Sequence, residues 1–208
     1  MTRERFTPTA PQSLDEDEQR RFIRAANRCG STRNTALALL LLYTGLRVEE
    51  VQALDVDDVA TSARRGKVIV RDGKGHVYRE VPLHRSARTA IRAWRDERPT
   101  HRGADQTPAL FLSRRGDRLR VRAIRYIVTE IGAAAGLIHE SGPHASTSRV
   151  HPHTLRHSFA TQLLRNGIDI VIVADVMGHA TVDTTRSYTR SSETDRAHAI
   201  EHALITDE

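Results

Sequence analysis

Six polar side chains lie where the sequence predicts that elements of secondary structure begin, end or turn. They are two arginines, a lysine, two histidines and a tyrosine: Arg47, Lys74, His153, Arg156, His179 and Tyr188. Binding and catalytic groups are often found at such points, because a rigid framework holds the loop that carries them. These residue types can hold an anion, transfer protons and supply a nucleophile.

The spacing of these residues gives them defined positions. His153 and Arg156 are three residues apart at the start of a predicted helix, so both project from the same face. Arg47 follows a predicted turn, and Lys74 lies between two glycines at the tip of a predicted hairpin. Taken singly, Arg47 also fits a surface or capping arginine, Lys74 a solvated turn residue and Tyr188 a half-buried aromatic. Only the set as a whole indicates a site.

The elements that must position these residues are mainly helices. Ser13-Leu14-Asp15-Glu16 has the form of a capping box, in which Ser13 caps a helix and Glu16 reaches back to it. The second helix is apolar on nearly every side in its second half, so it is expected to be buried, and Gly45 ends it as a left-handed cap. Apolar residues at helical spacing predict helices over 14–28, 31–44, 48–54, 85–98, 121–135, 153–165 and 170–177.

Strand-forming residues occur between the third and fourth of these helices. The segments 67–70 and 76–81 are rich in β-branched residues and are joined by Asp72-Gly73-Lys74-Gly75, which is a β-hairpin pattern. A further short strand is predicted at 109–112, and a loop of no assigned role at 137–152. The order of elements predicts an α+β fold that is mainly helical, with a small antiparallel β-sheet.

The composition favours a polyanionic partner. The chain has 208 residues and a formal charge of +6, and arginine, which pairs with phosphate through two N–H groups, carries the excess. A basic protein with arginine-rich codon usage would show the same balance. Cys29 is the sole cysteine, so an internal disulfide is excluded and a reducing cytoplasm is expected. The sequence has neither an export signal nor the ~20 consecutive apolar residues that span a bilayer.

Five segments around the six polar residues follow one another in a defined order. They are Thr44-Gly45-Leu46-Arg47-Val48-Glu49-Glu50-Val51, Gly73-Lys74-Gly75 before Val81-Pro82-Leu83, His153-Thr154-Leu155-Arg156-His157-Ser158-Phe159-Ala160-Thr161, Met177-Gly178-His179, and Tyr188. Together they resemble the tyrosine recombinase, or phage integrase, family. None identifies the family alone, but chance agreement of all five in order, from about residue 14 to 190, is improbable. The resemblance implies an enzyme that cuts and rejoins DNA, with a mainly helical catalytic domain.

The resemblance implies how the reaction divides among these residues. Tyr188 attacks the scissile phosphate and leaves a 3′-phosphotyrosyl bond and a free 5′-hydroxyl. Arg47 and Arg156 stabilise the charge that develops on the phosphoryl oxygens, with His179 as a further donor.

The remaining roles concern protons and orientation. Lys74 protonates the leaving 5′-oxygen, and His153 helps to remove the proton of the phenol. Glu50 is expected to orient an arginine from outside the site. No cofactor is required, because two arginines and a lysine supply the positive charge. The implied partner is double-stranded DNA, on which the protein is expected to associate as a tetramer in the cytoplasm.

Two further groups of residues have competing interpretations. His153 and His157 are four apart, as in a zinc-binding pair, but Thr154 stands where the zinc-protease motif has glutamate, so no metal is expected. A set of six arginines fits a solvated face and also predicts phosphate contacts outside the catalytic site: Arg114, Arg115, Arg118, Arg120, Arg122 and Arg125.

The expected organisation is a leader at 1–12, a catalytic domain at 13–190 and a tail at 191–208 that neighbouring subunits could exchange. The N-terminal DNA-clamping domain usual in the family is expected to be missing, as in an excised domain or a naturally short member. Two alternatives stay open. One is a relaxing enzyme like a type IB topoisomerase, which acts as a monomer and rejoins the same strands. The other is a DNA-binding regulator that has lost activity.

Overall fold

The computed structural model of the protein describes residues 13–62, 64–71, 78–140, 144, 146–178 and 200–201. Most of this part of the chain is helical, and within it no helix has the length and apolar composition to cross a membrane. The helices are α1 (Glu16–Arg28), α2 (Thr32–Thr44), α3 (Val48–Ala53), α4 (Arg85–Glu97), α5 (Val121–Ala134), α6 (Pro152–Arg165) and α7 (Ile170–Met177). Single 3₁₀ turns follow α3 and α4, at Val56–Asp58 and Arg98–Thr100.

Helix α2 forms the centre of the core. Every residue from 36 to 44 is buried, and the helix packs against α1, α4, α5 and α6, because its run of leucines is apolar on all sides. Gly45 ends the helix with a φ of 60°. A Cβ on Gly45 would lie 2.5 Å from Cδ1 of Phe159 in α6. The glycine therefore lets the end of α2 approach α6 closely, which brings the turn before Arg47 to the helix that carries Arg156.

A three-stranded antiparallel sheet lies between α3 and α4. Its strands are β1 (Val59–Thr61), β2 (Gly66–Val70) and β3 (Arg79–Pro82), in the order β1-β2-β3. The pairing of β2 with β3, which sets Val68 opposite Val81, confirms the predicted hairpin and the predicted mainly helical α+β class. The sequence did not predict β1, because three residues are too few to show alternation. The hairpin tip, with Lys74, lies outside the described residues.

The start of α1 differs from the prediction. Asp15 caps the helix in place of Ser13, since its side chain accepts from the N–H of Glu18 at 2.9 Å and Glu18 accepts from the N–H of Asp15 at 3.0 Å. Leu14 lies outside the helix because it is buried in the core, where its N–H donates to Oγ of Ser158 at 2.8 Å. The first residues of the domain are thereby fixed to α6.

The segment predicted as a strand at 109–112 pairs with its described neighbours only at single positions. Asp55 bridges to Ala109, and Leu112 bridges to Arg118. All four residues of the segment are buried, and the carbonyl of Leu110 accepts from Nε1 of Trp94 at 2.8 Å. A short apolar run looks alike in sequence whether it forms a ladder or crosses the core among side chains.

The chain before α6 is held against α5. A bridge joins Ile138 to Ser148 within the predicted loop, and Val150 beyond it is buried. A Cβ on Gly132 of α5 would lie 2.7 Å from Cβ of Val150, so the absence of a side chain at Gly132 permits this packing. It fixes the start of α6, where His151 is the N-cap.

Candidate active site

Arg47 is the N-cap of α3 and is held by the same helix. Its N–H donates to Oε2 of Glu50 at 2.7 Å, and its Nη1 donates to Oε1 of Glu50 at 3.0 Å. One carboxylate thus binds both the backbone and the side chain of Arg47, while the side chain of Arg47 remains 44% exposed. The guanidinium is therefore oriented but accessible.

Arg156 lies in the first half of α6 and is only 7% exposed. Its Nη1 donates to the carbonyl of Gly45, and its Nη2 donates to the carbonyl of Met177 at 2.9 Å. Burial, reinforced by the positive charge of Arg47, lowers the pKa of Arg156 to about 10. The guanidinium is therefore still cationic at neutral pH.

His153 lies one helical turn before Arg156 and is exposed. Its ring lies beside that of His157, with the ring centroids 5.9 Å apart. Within the described residues, no three His, Cys, Asp or Glu side chains are grouped closely enough to hold a metal ion.

The carboxyl end of α7 receives three arginines on three successive carbonyl groups. Arg79 donates through Nε to Val176 at 3.1 Å, Arg156 donates to Met177 at 2.9 Å, and Arg47 donates through Nη2 to Gly178 at 3.3 Å. The last carbonyls of a helix have no partner within the helix and carry partial negative charge. The end of α7 therefore gathers guanidinium groups from α3, β3 and α6 at one place.

Glu50 is the negative charge inside this cluster. It accepts from Nη2 of Arg79 at 2.8 Å as well as from Arg47. Burial acts to raise the pKa of Glu50, but the hydrogen bonds and charges of Arg79 and Arg47 outweigh burial and hold that pKa below its ordinary value. Glu50 is therefore ionised at neutral pH, and it balances part of the positive charge.

A cleft of about 600 Å³ opens beside the cluster. Three of the six residues singled out from the sequence, Arg47, His153 and Arg156, line it together, whereas Lys74, His179 and Tyr188 lie outside the described residues. Three arginines and one glutamate line the cleft, so its lining is basic, and it is large enough for a phosphate group. Its lining residues are Leu46, Arg47, Val48, Glu49, Arg125, His151, Pro152, His153 and Arg156.

The six arginines predicted to contact phosphate do not share one environment. Arg118 donates to the carbonyls of Gln52, Ala53 and Leu54 and to the carboxylate of Asp55. It supplies the donors that the end of α3 needs, and its predicted contact with DNA stays a prediction. The other five are exposed: Arg114, Arg115, Arg120, Arg122 and Arg125. Arg125 also lies 3.3 Å from Glu49 at the rim of the cleft.

Sequence reasoning missed Arg79, although a signal was present. Side chains alternate between the two faces of a strand, so Arg79 must lie on the same face as Val81, two residues later. Val81 is buried, and Arg79 is buried too. An arginine at an inward-facing strand position needs partners within the protein, and this requirement marks Arg79 as part of a polar network.

The comparisons with known proteins show the family to which the chain belongs. The family model for the phage integrase family matches residues 12–195, so the chain belongs to that family. Tyrosine recombinase XerC of Mycobacterium sp. (strain KMS) is 41% identical over 190 residues, which cover 87% of this chain and 59% of that protein. Tyrosine recombinase XerA of Pyrococcus furiosus is 34% identical over 200 residues, covering 95% of this chain and 63% of XerA.

Solved structures give the same relationship at the level of the fold. The crystal structure of XerA recombinase superposes with a TM-score of 0.72 at 34% identity and covers 91% of this chain and 64% of that one. XerH site-specific recombinase bound to difH substrate, in a pre-cleavage complex, superposes with a TM-score of 0.69 at 27% identity, covering 90% and 52%. The chain thus spans about three fifths of the length of the relatives that it matches.

Proposed function

We propose that the chain is the catalytic part of a site-specific DNA recombinase that cleaves and rejoins double-stranded DNA through a covalent bond to Tyr188. The observation that supports this most directly is the convergence of Arg47 and Arg156 on one open, basic cleft that His153 also lines. Arg47 and Arg156 are more than a hundred residues apart in the sequence, so only the fold brings them together. Membership of the phage integrase family and the similarity to named tyrosine recombinases support the same function.

The proposed reaction is an exchange of phosphate esters. The phenolic oxygen of Tyr188 attacks phosphorus as the bond between phosphorus and the 5′-oxygen breaks, and the product is a 3′-phosphotyrosyl ester. His153 accepts the phenolic proton, and Lys74 gives a proton to the departing 5′-oxygen. A 5′-hydroxyl of a second strand then attacks the ester, restores the phosphodiester and releases Tyr188.

The arginines supply the electrostatic part of catalysis. A guanidinium has five N–H donors, so contacts of Arg47 and Arg156 with the carbonyls of α7 leave other donors for phosphoryl oxygens. His179 adds a further donor in this proposal. Fixed donors of this kind are worth about 3 kcal/mol or more each when they face developing charge. The positive charge comes from side chains, so the reaction as proposed uses no metal and no nucleotide cofactor.

Finer features of the assembly are part of the same proposal. The acting unit is a catalytic domain at 13–190, which associates with other copies on DNA as a tetramer in the cytoplasm. Four of these copies would place four tyrosines on two DNA duplexes, which is the number that exchange of all four strands requires. Light scattering of the protein, measured with and without DNA, tests this stoichiometry.

A covalent trap tests the central proposal. The chain is incubated with a pool of nicked duplexes of randomised sequence, in which cleavage releases a short 5′-hydroxyl fragment that diffuses away. Protein–DNA adducts that survive detergent are collected and sequenced. Wild-type protein is expected to form adducts at a defined site, and Tyr188→Phe to form none. Adducts that persist in Tyr188→Phe, or their absence from the wild type, would reject the proposal.

Relaxation assays separate the recombinase from a relaxing enzyme. A supercoiled plasmid without the selected site is expected to stay supercoiled, because a recombinase cuts only within an assembled complex at its site. Efficient relaxation of that plasmid would instead favour a topoisomerase activity. A protein that binds duplex DNA without forming any adduct would be a regulator.

A further inference from the structure

Arg79 differs from the other two arginines at the end of α7 in its position, because Arg47 and Arg156 line the cleft and Arg79 does not. The side chain of Arg79 is 8% exposed, and its guanidinium donates to Val176 and Glu50. The contacts of Arg79 are therefore expected to persist when DNA enters the cleft. The side chain of Arg47 is 44% exposed, so its contacts can be exchanged for phosphate.

The guanidinium of Arg79 joins three separate segments of the chain. It lies on β3, donates to the carbonyl of Val176 in α7 at 3.1 Å, and donates to Oε2 of Glu50 in α3 at 2.8 Å. Glu50 in turn holds the backbone and the side chain of Arg47. A chain of direct contacts thus runs from the strand, through one carboxylate, to an arginine in the cleft.

Gly178 provides a second, independent sign that the structure accommodates Arg79. The residue has a φ of +64°, and a Cβ on it would lie 2.7 Å from Nη1 and 2.8 Å from Cζ of Arg79. The turn that ends α7 is therefore shaped around the guanidinium. His179, assigned above as a donor to the phosphate, follows Gly178 directly in the sequence.

Stability alone does not account for an arginine at this position. Two charges lose favourable hydration when they are buried, and their mutual attraction only about offsets that loss. Apolar residues of similar volume therefore often stabilise the fold as well as a buried ion pair does. What an apolar residue cannot do is bind a carboxylate and a carbonyl at fixed angles at the same time, as a planar guanidinium does.

We propose that Arg79 is a positioning residue for DNA cleavage, which fixes Glu50, and through it Arg47, against the carboxyl end of α7. The inference rests on the proposed function. Arg79 touches neither DNA nor Tyr188 in this role. It sets the orientation of a guanidinium that does, and small misplacements of reacting groups slow enzymes strongly.

Three variants test the role of Arg79. Arg79→Gln removes the charge, Arg79→Lys keeps a cation without the planar fork, and Arg98→Gln is the matched control. Arg98 is also 8% exposed, and its guanidinium donates to the carbonyls of Ala104, Thr107 and Ala109, away from the cleft. The rate of adduct formation is measured at saturating concentrations of the selected nicked duplex, normalised to folded protein, alongside Kd and a pH profile.

The expected result is a loss of rate without a loss of binding. Arg79→Gln should form adducts about 10- to 100-fold more slowly, the range found when groups that orient reacting side chains are removed, with Kd near that of the wild type. The low pKa of Glu50 depends on Arg79, so this variant should lose activity at a higher pH than the wild type as the solution is acidified. Arg98→Gln should lower stability but leave the rate and its pH profile unchanged.

The outcomes distinguish failure of the inference from failure of the proposed function. If wild-type protein forms no adduct, the proposed function fails before any variant is compared. If wild-type protein reacts and Arg79→Gln matches its rate and pH profile, or Arg98→Gln loses as much rate, the positioning role is rejected. If Arg79→Gln does not fold, Arg79→Lys decides: slower cleavage at unchanged Kd supports the role, and a wild-type rate rejects it.

Discussion

At the scale of single residues, the candidate site concentrates positive charge around one carboxylate. Arg47, Arg79 and Arg156 surround Glu50 and the end of α7, so the cluster carries net positive charge in the absence of DNA. Burial and mutual repulsion lower the pKa of Arg156 to about 10. A phosphate group entering the cleft would relieve that repulsion, and attraction between opposite charges is stronger where water is excluded. The packing of the arginines therefore supports the proposed binding of a phosphodiester.

A buried histidine elsewhere in the core predicts how stability depends on pH. His84 is fully buried and stacks on Tyr43, with ring centroids 4.5 Å apart. Its Nδ1 accepts from the N–H of Ser86 at 3.3 Å, and its Nε2 has no hydrogen-bond partner within the described residues. Burial, together with the charges of Arg85 and Arg88 and against that of Glu201, lowers the pKa of His84 to about 4.

The neutral form of His84 is therefore the form that the folded protein accepts. Burying neutral His84 contributes fully to the free energy of unfolding above pH 6.5, the pKa in the unfolded chain. This contribution, up to about 3 kcal/mol, is lost as the pH falls toward 4. His84→Phe keeps the stacking on Tyr43 but removes the acceptor that caps α4. We expect its free energy of unfolding at pH 7 to be about 1 kcal/mol lower than that of the wild type. Below pH 6.5 its free energy of unfolding should depend less on pH. Urea unfolding at several pH values measures this difference, and parallel curves for both proteins would contradict it.

The residue scale also shows what sequence could and could not predict about the site. Motif spacing identified Arg47, His153 and Arg156, and the structure brings these three into one cleft. Motif spacing did not identify the contacts of Arg118. The partners of Arg118 at 52–55 are distant in sequence and are mainly backbone carbonyls, which no motif records. Arg79 was missed for a different reason, because its inward-facing position on the strand was a signal that the motif search did not use.

At the scale of elements, local signals fix the helices and long-range packing decides the rest. The helices were predictable because their signals are local. Apolar residues recur at helical spacing, and the capping residues Ser31, Gly45 and Gly178 lie directly at the helix ends. The cap of α1 was misplaced by two residues, since burial of Leu14 competes with helix formation. The segment at 109–112 was misassigned because its neighbours in the core are not evident from its own residues.

The end of α2 gives a prediction about packing. Gly45 and Gly30 both have positive φ, but a Cβ on Gly45 would overlap Phe159, whereas a Cβ on Gly30 would meet nothing within 4 Å. Gly30→Ala should cost about 1–2 kcal/mol, for the left-handed backbone alone. Gly45→Ala should cost about 1–3 kcal/mol more, because the added methyl group overlaps a well-packed ring. Urea unfolding of both variants measures the difference, and equal losses would show that the approach of α2 to α6 is not tight.

The start of α5 and the end of α3 give a prediction that separates structural from DNA-binding arginines. Arg118→Met should lower the free energy of unfolding by about 1–3 kcal/mol, because the carbonyls at the end of α3 lose their donor. It should leave the salt dependence of DNA binding unchanged.

Arg122→Met is the matched comparison for Arg118→Met, since Arg122 is exposed. Its stability should be that of the wild type, while the slope of log affinity against log salt should fall by about 1 if Arg122 contacts a phosphate. Calorimetry and binding titrations with the selected duplex over a range of salt concentrations measure both effects. A reduced slope for Arg118→Met would show that Arg118 contacts a phosphate as well.

At the scale of the whole molecule, residues far apart in sequence tie the ends of the described chain to the framework of the site. Near the start, the N–H of Leu14 donates to Ser158 in α6, the helix of Arg156. Near the end, Ile200 is buried in the core and Glu201 lies 3.2 Å from Arg88 in α4. These two described residues of the tail therefore pack on their own chain in this structure. Exchange of the tail between subunits, expected from the resemblance, stays a prediction.

The tail contact leads to a test of whether packing within one chain or exchange between chains stabilises the free protein. Ile200 is 1% exposed and Ile170 is 68% exposed, so the pair differs mainly in burial. Ile200→Ala should lower the free energy of unfolding by about 2–5 kcal/mol through the cavity it leaves, and Ile170→Ala by no more than about 0.5 kcal/mol.

If the tail packs on its own chain, Tm is independent of protein concentration in the wild type and in both variants. If subunits exchange it, Tm of the wild type rises with concentration by mass action. Differential scanning calorimetry over a wide range of concentrations distinguishes the two, because a concentration-dependent Tm would mean that Ile200 fills the core of a neighbour.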